Sequence, residues 1–376
     1  MRDLSKVAEM PRGQFADWLL KELWRAYYDA RKGKRTTVDE HMFEINAAEN
    51  ILNLRDVIMS GYYRPGRGIA FIVWRPVTRE IFAAPFKDRV VHHFLYNMVA
   101  EWWDKRLIYD AYSCRKEKGV LFGVQRIQHH INSVSQNYEK KAYVIKLDIQ
   151  GYFMSLPREG LMERVEWGLK RQFPERGQLY QTLMELWAAV IFDDPCKGVI
   201  RKGSLADWDC LPRNKSLFCQ PPGQGIVIGN LSSQLLSNIY LDPMDRFIMH
   251  DLGYKHYGRY VDDFYIIVPE EKLEQVKQDI MLIRDYLAMR KLTLHPKKVQ
   301  VIEVHQGVEW LGAMVWKWGL CPGRRMEQFF REAAELYLVD DGDVTSIASY
   351  LGHMKHLRSK KVEKKIFDRM GWEYRF

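Results

Sequence analysis

Several features that would assign the chain to a familiar class of protein are missing from its sequence. No apolar run reaches the roughly 18 residues of a membrane span, and the N-terminal residues lack the apolar core of a secretory signal. The five cysteines are an odd number and form no CxxC pair. We therefore expect reduced thiols in a cytoplasm, without a disulfide framework, a zinc site or a membrane partner.

Internal repeats and low-complexity stretches are also missing. The 376 residues are 47% hydrophobic and 13% aromatic, which is typical of a globular protein with two or three subdomains. Helix-like and strand-like segments are mixed along the chain without regular βαβ alternation. This order predicts an α+β fold rather than a doubly wound parallel sheet.

Hydrophobic periodicity and turn residues predict the order of the elements. Helices are expected over residues 11–58, 88–103, 159–192, 231–249 and 270–290, and a small helical unit over about 322–376. Strands are expected on either side of a turn at Pro76–Arg79, over residues 143–149, and in short segments between 299 and 316. Residues 193–223 contain several Pro and Gly and are expected to form loops.

Positive charge is concentrated at the C-terminal end. The net charge is +9, and residues 355–376 contribute +5 of it through eight basic and three acidic side chains. Such a concentration favours contact with a polyanion, although a solvated helix face is an equal alternative. The candidate nucleic-acid contacts are Lys355, Arg358, Lys360, Lys361, Lys364 and Lys365.

The most informative segment is YGRYVDDFYIIV at residues 257–268. Its apolar, β-branched and aromatic residues on both sides of Asp262-Asp263 predict two strands with the acids at the tip of a hairpin. Adjacent carboxylates repel each other unless a cation neutralises them, and hard oxygen ligands suit Mg²⁺. A polar hairpin turn without metal chemistry is the alternative.

A third carboxylate has the same setting. Asp148 ends the apolar strand YVIKLDI, 114 residues before Asp262. If this strand lies beside the hairpin, Asp148 and Asp262 would face each other and hold two Mg²⁺ ions (Mn²⁺ is an alternative), as in two-metal phosphoryl transfer. Asp263 would be an outer ligand, and the carbonyl of Ile149 would complete the shell.

These segments resemble the motifs of reverse transcriptases. The palm motifs are matched by LDIQGYF (147–153), GIVIGNLSSQLLSNIYL (225–241), YVDD (260–263), LTLHPKKVQVI (292–302) and WLGAMV (310–315). The fingers motifs are matched by SGYYRPG (60–66) and REIFAAPFKDRVVHHFLYN (79–97). The resemblance covers roughly residues 50–320 and implies RNA-directed DNA synthesis by catalytic Asp148, Asp262 and Asp263.

The resemblance also implies a right-hand polymerase of fingers, palm and thumb, with an antiparallel palm sheet and a helical thumb. We expect an N-terminal helical extension (1–58), fingers (59–140), a first palm segment (141–160), a fingers/palm insertion (161–224), a second palm segment (225–320) and a basic thumb (321–376).

Several nucleotide-binding residues follow from the motif positions. Arg75, Arg79 and Arg89 would lie near the triphosphate, where a guanidinium group suits bidentate phosphate contact. Phe153 would be the steric gate that rejects a ribose 2′-OH, although Tyr152 beside it competes for that place. Lys297, in the pair Lys297-Lys298, would support the nucleotide site.

One departure from the common pattern indicates a subfamily. Most reverse transcriptases have Gln-Gly-x-x-x-Ser-Pro where this chain has Ile228 at the start and Ser233-Gln234 at the end. This variant, together with AYSCRKEKG (111–119) and SYLGHMKHLRS (349–359), is similar to reverse transcriptases of diversity-generating retroelements. Ile228 cannot form the hydrogen bonds of a Gln in the nucleotide pocket, which would weaken discrimination between nucleotides; simple packing in the palm is the alternative.

The subfamily implies further substrates and partners. These enzymes copy a template RNA with frequent errors opposite adenine, and the mutated cDNA replaces a variable region of a target gene. The expected partners are template RNA and primer, dNTPs, the RNA–DNA hybrid and a small, basic, oligomeric accessory protein. The alternatives are a defence-type or group II intron-like reverse transcriptase, or a non-catalytic RNA-binding scaffold. The protein would be cytoplasmic, and its gene would be bacterial, archaeal or phage-encoded.

Overall fold

The computed structural model describes residues 4–7, 9–32, 37–75, 77–340 and 344–371. Pro76 of the predicted turn lies outside the described residues, and so do residues 372–376, which include Arg375 of the basic segment.

Fourteen α-helices and ten strands are present in the described part of the chain. The helices are α1 Arg12–Arg31, α2 Val38–Ile45, α3 Ala47–Met59, α4 Phe86–Asp104, α5 Val120–Val134, α6 Tyr152–Ser155, α7 Arg158–Gln172, α8 Gln178–Phe192, α9 Ala206–Asp209, α10 Leu231–Arg246, α11 Leu273–Met289, α12 Arg324–Asp340, α13 Val344–Met354 and α14 Lys360–Arg369. The strands are β1 Ile69–Val73, β2 Arg79–Ala83, β3 Ala142–Asp148, β4 Ile200–Arg201, β5 Tyr257–Tyr260, β6 Asp263–Pro269, β7 Gln300–Glu303, β8 Val308–Trp310, β9 Ala313–Trp316 and β10 Gly319–Pro322. A π-helical turn, Phe247–Asp251, follows α10.

The chain forms two compact units, each built from three separate segments. The first unit contains Met1–Ile108, Gln150–Asp245 and Leu287–Thr293, and the second contains Tyr109–Ile149, Arg246–Tyr286 and Leu294–Phe376. The predicted boundaries of fingers, palm and thumb stay predictions.

The first unit contains helices and a small three-stranded sheet. Helix α1 packs on α3 and α4 through Phe15, Leu19 and Leu23, which are fully buried and recur every four residues. The sheet has the order β2-β1-β4, in which β1 and β2 pair antiparallel and β4 adds a short parallel edge. Helices α7 and α8 pack against each other.

The second unit has two antiparallel sheets and a helical end. The larger sheet has the order β5-β6-β3-β7 and the smaller one the order β10-β9-β8. Helix α5 packs on the larger sheet, where Val124, Ile127 and Ile131 join Val144 and Ile267 in one core. Helices α12, α13 and α14 form a separate apolar cluster around Phe330 and Ile366.

The predicted α+β class is confirmed, with differences in detail. The predicted helix over 159–192 is divided into α7 and α8, because Pro174 lies in the segment between them. Helix α5 and strand β10 were not predicted. No helix of the described residues is long and apolar enough to cross a membrane.

A glycine in β5 allows the closest packing in the second unit. A Cβ added at Gly258 would collide with Tyr112 Oη and lie 2.6 Å from Tyr265 Oη, and these two hydroxyls are hydrogen-bonded at 2.8 Å. We predict that Gly258→Ala lowers the free energy of unfolding by about 1–3 kcal/mol, because both buried rings must shift.

Thermal unfolding of purified protein measures this effect. Gly352→Ala is the matched control, because Gly352 lies in α13 of the same unit with open space around its Cα. The control should be neutral or slightly stabilising. Equal melting temperatures for the two variants would contradict the prediction.

Candidate active site

The larger sheet of the second unit brings three carboxylates to one end. Strands β3 and β6 pair from Ala142 opposite Pro269 to Asp148 opposite Asp263. Asp262 lies in the two-residue turn between β5 and β6, and its carbonyl accepts a hydrogen bond from Ile149 N at 3.2 Å. The residue across the sheet from Asp148 is therefore Asp263, whereas the sequence had suggested Asp262.

The turn that carries Asp262 has a strained backbone. Val261 has φ +58°, a left-handed conformation that is a genuine outlier for a β-branched residue. Val261 N donates to Ser113 Oγ at 3.2 Å, and Val261 O accepts from Arg259 Nη1 at 3.0 Å. Arg259 is fully buried, and its backbone pairs with the segment around Ala111. The AYS part of AYSCRKEKG thus holds the turn in place.

A buried polar network lies behind the same hairpin. Arg126 donates two hydrogen bonds to the Asp110 carboxylate, at 2.6 and 3.0 Å, and His130 Nε2 lies 3.3 Å from it. His130 Nδ1 is 3.1 Å from the Tyr265 hydroxyl, which also accepts from Tyr112 at 2.8 Å. Burial alone would raise the pKa of Asp110, but hydrogen bonds from His130 and Arg126 lower it below its ordinary value. The network joins α5 to β6.

The three acids repel one another strongly enough to change a protonation equilibrium. Burial of its carboxyl group, followed by the negative charges of Asp262 and Asp148, raises the pKa of Asp263 to about 7, although Lys298 lowers it. Much of the Asp263 residue is nevertheless open to solvent, so water and cations can reach it. Lys298 Nζ lies 2.8 Å from Asp148 Oδ2 and supplies a positive charge to the group.

The chemistry of these donors fits a hard divalent cation. Carboxylate oxygens are the ligands that Mg²⁺ prefers, and a cation would relieve the repulsion that raises the pKa of Asp263. Within the described residues, no set of three or more His, Cys, Asp or Glu side chains is already arranged to enclose a metal ion. Lys298 Nζ already contacts Asp148 Oδ2, so this ammonium group competes with a cation for that oxygen.

The lysine that contacts the acids is Lys298, whereas the sequence predicted a role for the adjacent Lys297. Lys297 is exposed, and its backbone N donates to His295 Nδ1 at 3.2 Å. The backbone N of His295 donates to Asp148 O at 2.8 Å, so the turn at 295–298 is tied directly to the end of β3. The role predicted for Lys297 stays a prediction.

The remaining nucleotide candidates belong to the first unit. Tyr152 is buried, and its hydroxyl donates to Ser237 O at 2.5 Å. Phe153 is half-buried and meets the Tyr152 ring edge-on, with centroids 5.7 Å apart. Of these two aromatic rings, only that of Phe153 is open to a ligand.

Ile228 and Gln234 are both half-buried. Ile228 packs against an apolar cluster that includes Phe82, and its carbonyl accepts from Phe82 N at 2.9 Å. Gln234 lies in the first turn of α10, where its carbonyl accepts from Ser237 Oγ at 2.8 Å.

The predicted phosphate-binding arginines differ in their surroundings. Arg75 and Arg79 are exposed and flank the connection between β1 and β2. Arg89 is half-buried in α4, and its Nε donates to Ala84 O at 3.0 Å. Their roles stay predictions.

Comparison with known protein families decides the class of the chain. Residues 74–315 match the model of the family described as "Reverse transcriptase (RNA-dependent DNA polymerase)". The chain belongs to the reverse transcriptase family. A curated relative, Protein YkfC of Escherichia coli (strain K12), is 21% identical over 310 residues, which cover 73% of this chain and 73% of that protein.

Solved structures that resemble this reverse transcriptase include two telomerases. One is telomerase from Candida albicans in complex with a TWJ fragment of telomeric RNA (12% identity, TM-score 0.48, 83% of this chain and 57% of that one). Another is apo telomerase from Candida tropicalis (12% identity, TM-score 0.48, 82% and 58%). This chain thus spans less than two thirds of their length.

The family is one of RNA-directed DNA polymerases. The chain has the predicted α+β fold of a right-hand polymerase, and its larger sheet is antiparallel, as predicted. Enzymes of this family use divalent metal ions, in agreement with the donor chemistry of the three acids.

The basic residues predicted to bind nucleic acid are all exposed. Lys360, Lys361, Lys364 and Lys365 lie on α14, and Lys355 and Arg358 precede it. Lys361 and Lys365 are one helical turn apart, and together with Arg331 they line a cavity of about 220 Å³.

We predict that Lys298→Ala changes how this reverse transcriptase responds to Mg²⁺. Without Mg²⁺ the variant should melt at a lower temperature, because Asp148 loses its partner. Because no ammonium group then competes for Asp148 Oδ2, stabilisation by Mg²⁺ should reach its midpoint at a concentration about two- to fivefold lower. The factor is modest because the Lys298 side chain is 56% exposed.

Melting temperatures over a Mg²⁺ titration without nucleotide measure this response. Lys297→Ala is the control, because it removes an adjacent exposed ammonium group. If both variants give the Mg²⁺ midpoint of the parent protein, competition between Lys298 and the cation is ruled out.

Proposed function

We propose that this reverse transcriptase serves a diversity-generating retroelement. It copies a template RNA into cDNA with frequent errors opposite adenine, and the cDNA replaces a variable region of a target gene. The observation that carries this proposal is the segment from Ile228 to Gln234, in which an aliphatic side chain and Ser233-Gln234 replace the common Gln and Ser-Pro.

Catalysis in this proposal rests on Asp148, Asp262 and Asp263. Their carboxylates would hold two Mg²⁺ ions (or Mn²⁺), with the Ile149 carbonyl as a further ligand. The bound ions would supply the positive charge that lowers the pKa of the primer 3′-hydroxyl and stabilises the leaving pyrophosphate. The β3–β6 pairing keeps the acids at fixed spacing, so the chain contributes mainly positioning and charge neutralisation.

Nucleotide selection is assigned to the first unit. The accessible ring of Phe153 excludes a ribose 2′-OH, since the Tyr152 ring is buried. Ile228 forms an apolar wall of the nucleotide pocket, and Gln234 follows in the first turn of α10. A wall without donors or acceptors holds correct and incorrect pairs with similar energy, which lowers fidelity.

The remaining contacts with nucleotide and nucleic acid are proposed from the positive charge of the side chains. Arg75, Arg79 and Arg89 contact the triphosphate together with Lys297. The basic α14 contacts the phosphates of the RNA–DNA hybrid, and its affinity falls with salt. A small, basic, oligomeric accessory protein is the partner, in the cytoplasm of a bacterial or archaeal host. The thumb is assigned to residues 321–376, after the fingers and palm segments, and it includes α12, α13 and α14.

Asp262→Asn tests the catalytic assignment. We predict that it lowers primer extension by about 100-fold or more, because one of the carboxylates that bind the cations is lost. Binding of template RNA, measured by filter retention, should stay unchanged.

The matched control is Asp285→Asn on the exposed face of α11 in the same unit. It should extend primers at the rate of the parent enzyme. Substantial extension by the Asp262 variant would refute the catalytic role of this residue.

Ile228→Gln tests the proposed source of infidelity. We predict that it lowers the error frequency opposite template adenine by about three- to tenfold, because the restored amide adds about one hydrogen bond of discrimination. Sequencing of primer-extension products measures the error frequency.

Ile200→Gln is the control, because Ile200 belongs to the same unit and is 44% exposed on β4. It should leave the error spectrum unchanged. An unchanged spectrum for the Ile228 variant would refute the pocket role of Ile228.

A further inference from the structure

A fully buried glutamate in β2 has a role that the catalytic assignment does not explain. Glu80 has no exposed surface, and its carboxyl group accepts three hydrogen bonds. The donors are Trp208 Nε1 at 2.9 Å, Ser216 Oγ at 2.7 Å and Leu217 N at 2.7 Å. All three donors belong to the loop-rich segment of residues 193–223, so one carboxyl group fixes that segment to β2. We call these four residues the Glu80 anchor.

The anchored strand holds the backbone of Ile228. Two residues after Glu80, Phe82 N donates to Ile228 O at 2.9 Å. Gly229 lies so close to β2 that an added Cβ would be 2.5 Å from Phe82 O. Its φ of +130° is a conformation that favours glycine. A movement of β2 would therefore also move the backbone of Ile228 and Gly229.

Side-chain packing links the anchor to the same place. Trp208 and Leu217 of the anchor form an apolar cluster with Phe82 and Val227, and Ile228 packs against this cluster. A cavity of about 200 Å³ lies beside this segment and is lined in part by Gly225–Val227 and by Phe82 of the cluster. Ile228 itself is held by the cluster, to which Trp208 and Leu217 of the anchor belong.

We propose that the Glu80 anchor sets nucleotide selectivity by positioning Ile228, without touching the nucleotide. This inference rests on the proposed assignment of Ile228 to the nucleotide pocket. Glu80 is a positioning residue, and the loop-rich segment is the support against which the pocket wall is held. Weakening the anchor lets Ile228 shift from its position and reduces the energy difference between correct and incorrect nucleotides.

Trp208→Phe tests the inference with little change in packing, because it keeps an aromatic ring and removes the N–H that Glu80 accepts. We expect the ratio of kcat/KM for correct and incorrect dNTPs to fall by about two- to fivefold, the effect of about one hydrogen bond. The change should appear in KM, with kcat for the correct dNTP within about twofold of the parent value. Ser216→Ala, which removes a second donor, should change the ratio in the same direction.

Trp187→Phe is the matched control. Trp187 is fully buried in α8 of the same unit, and its Nε1 has no hydrogen-bond partner among the described residues. This variant should lose stability through packing but keep the selectivity of the parent enzyme. If Trp208→Phe and Ser216→Ala lower only the melting temperature and kcat, as a purely structural role predicts, the inference is overturned.

Ile228→Gln and the Ile228→Gln/Trp208→Phe double variant separate this inference from the proposed function. Coupling through Ile228 predicts that the two effects on selectivity are not additive. If Ile228→Gln changes selectivity and the anchor variants do not, the pocket assignment is supported and the role of the anchor is refuted. If Ile228→Gln has no effect on selectivity, the pocket assignment and the role of the anchor are both refuted. An effect of Trp208→Phe alone would then show that the anchor does not act through Ile228.

Discussion

The pairing of β3 with β6 is the constraint on which the candidate active site depends. Val144, Ile145, Leu147 and Phe264 are almost completely buried, so the apolar core fixes the register of the two strands. A slip of one residue would turn these side chains to the opposite face. The same register places Asp148 across from Asp263, and the free energy of core packing therefore holds together carboxylates that repel each other. A cationic group beside them lowers this repulsion, and Lys298 Nζ lies 2.8 Å from Asp148 Oδ2.

The sequence predicted the part of this site that depends on local pattern. The strand that ends in Asp148 and the hairpin around Asp262-Asp263 were both predicted from runs of apolar, β-branched and aromatic residues with acids at their ends. The pairing partner within the hairpin could not be predicted, because the lengths of β5 and of its turn decide whether Asp262 or Asp263 begins β6. Lys298 was not singled out, since its contact with Asp148 spans 150 residues of sequence.

Other features of the structure could not be predicted from the sequence for related reasons. Tyr152 and Phe153 are indistinguishable by composition, but α6 directs adjacent side chains about 100° apart, so one ring is buried and the other is accessible. Glu80 is a single acid in a strand, and its three donors lie 128 to 137 residues away. Helix α5 contributes buried His130 and the partly buried Arg126 to a polar network whose other members lie in separate segments.

The residues proposed for nucleotide selection and the acids proposed for catalysis are held in place by different interactions. The acids, Lys298 and the strained turn at Val261 all belong to the second unit, where strand register and buried hydrogen bonds set their positions. Ile228, Phe153 and the Glu80 anchor belong to the first unit, where an apolar cluster and one backbone hydrogen bond set the position of Ile228. Changes at sites that share no partners are usually additive in free energy. On the proposed assignment of Ile228 to the nucleotide pocket, a change at this residue can therefore alter selectivity while the pairing of β3 with β6 keeps Asp148 across from Asp263.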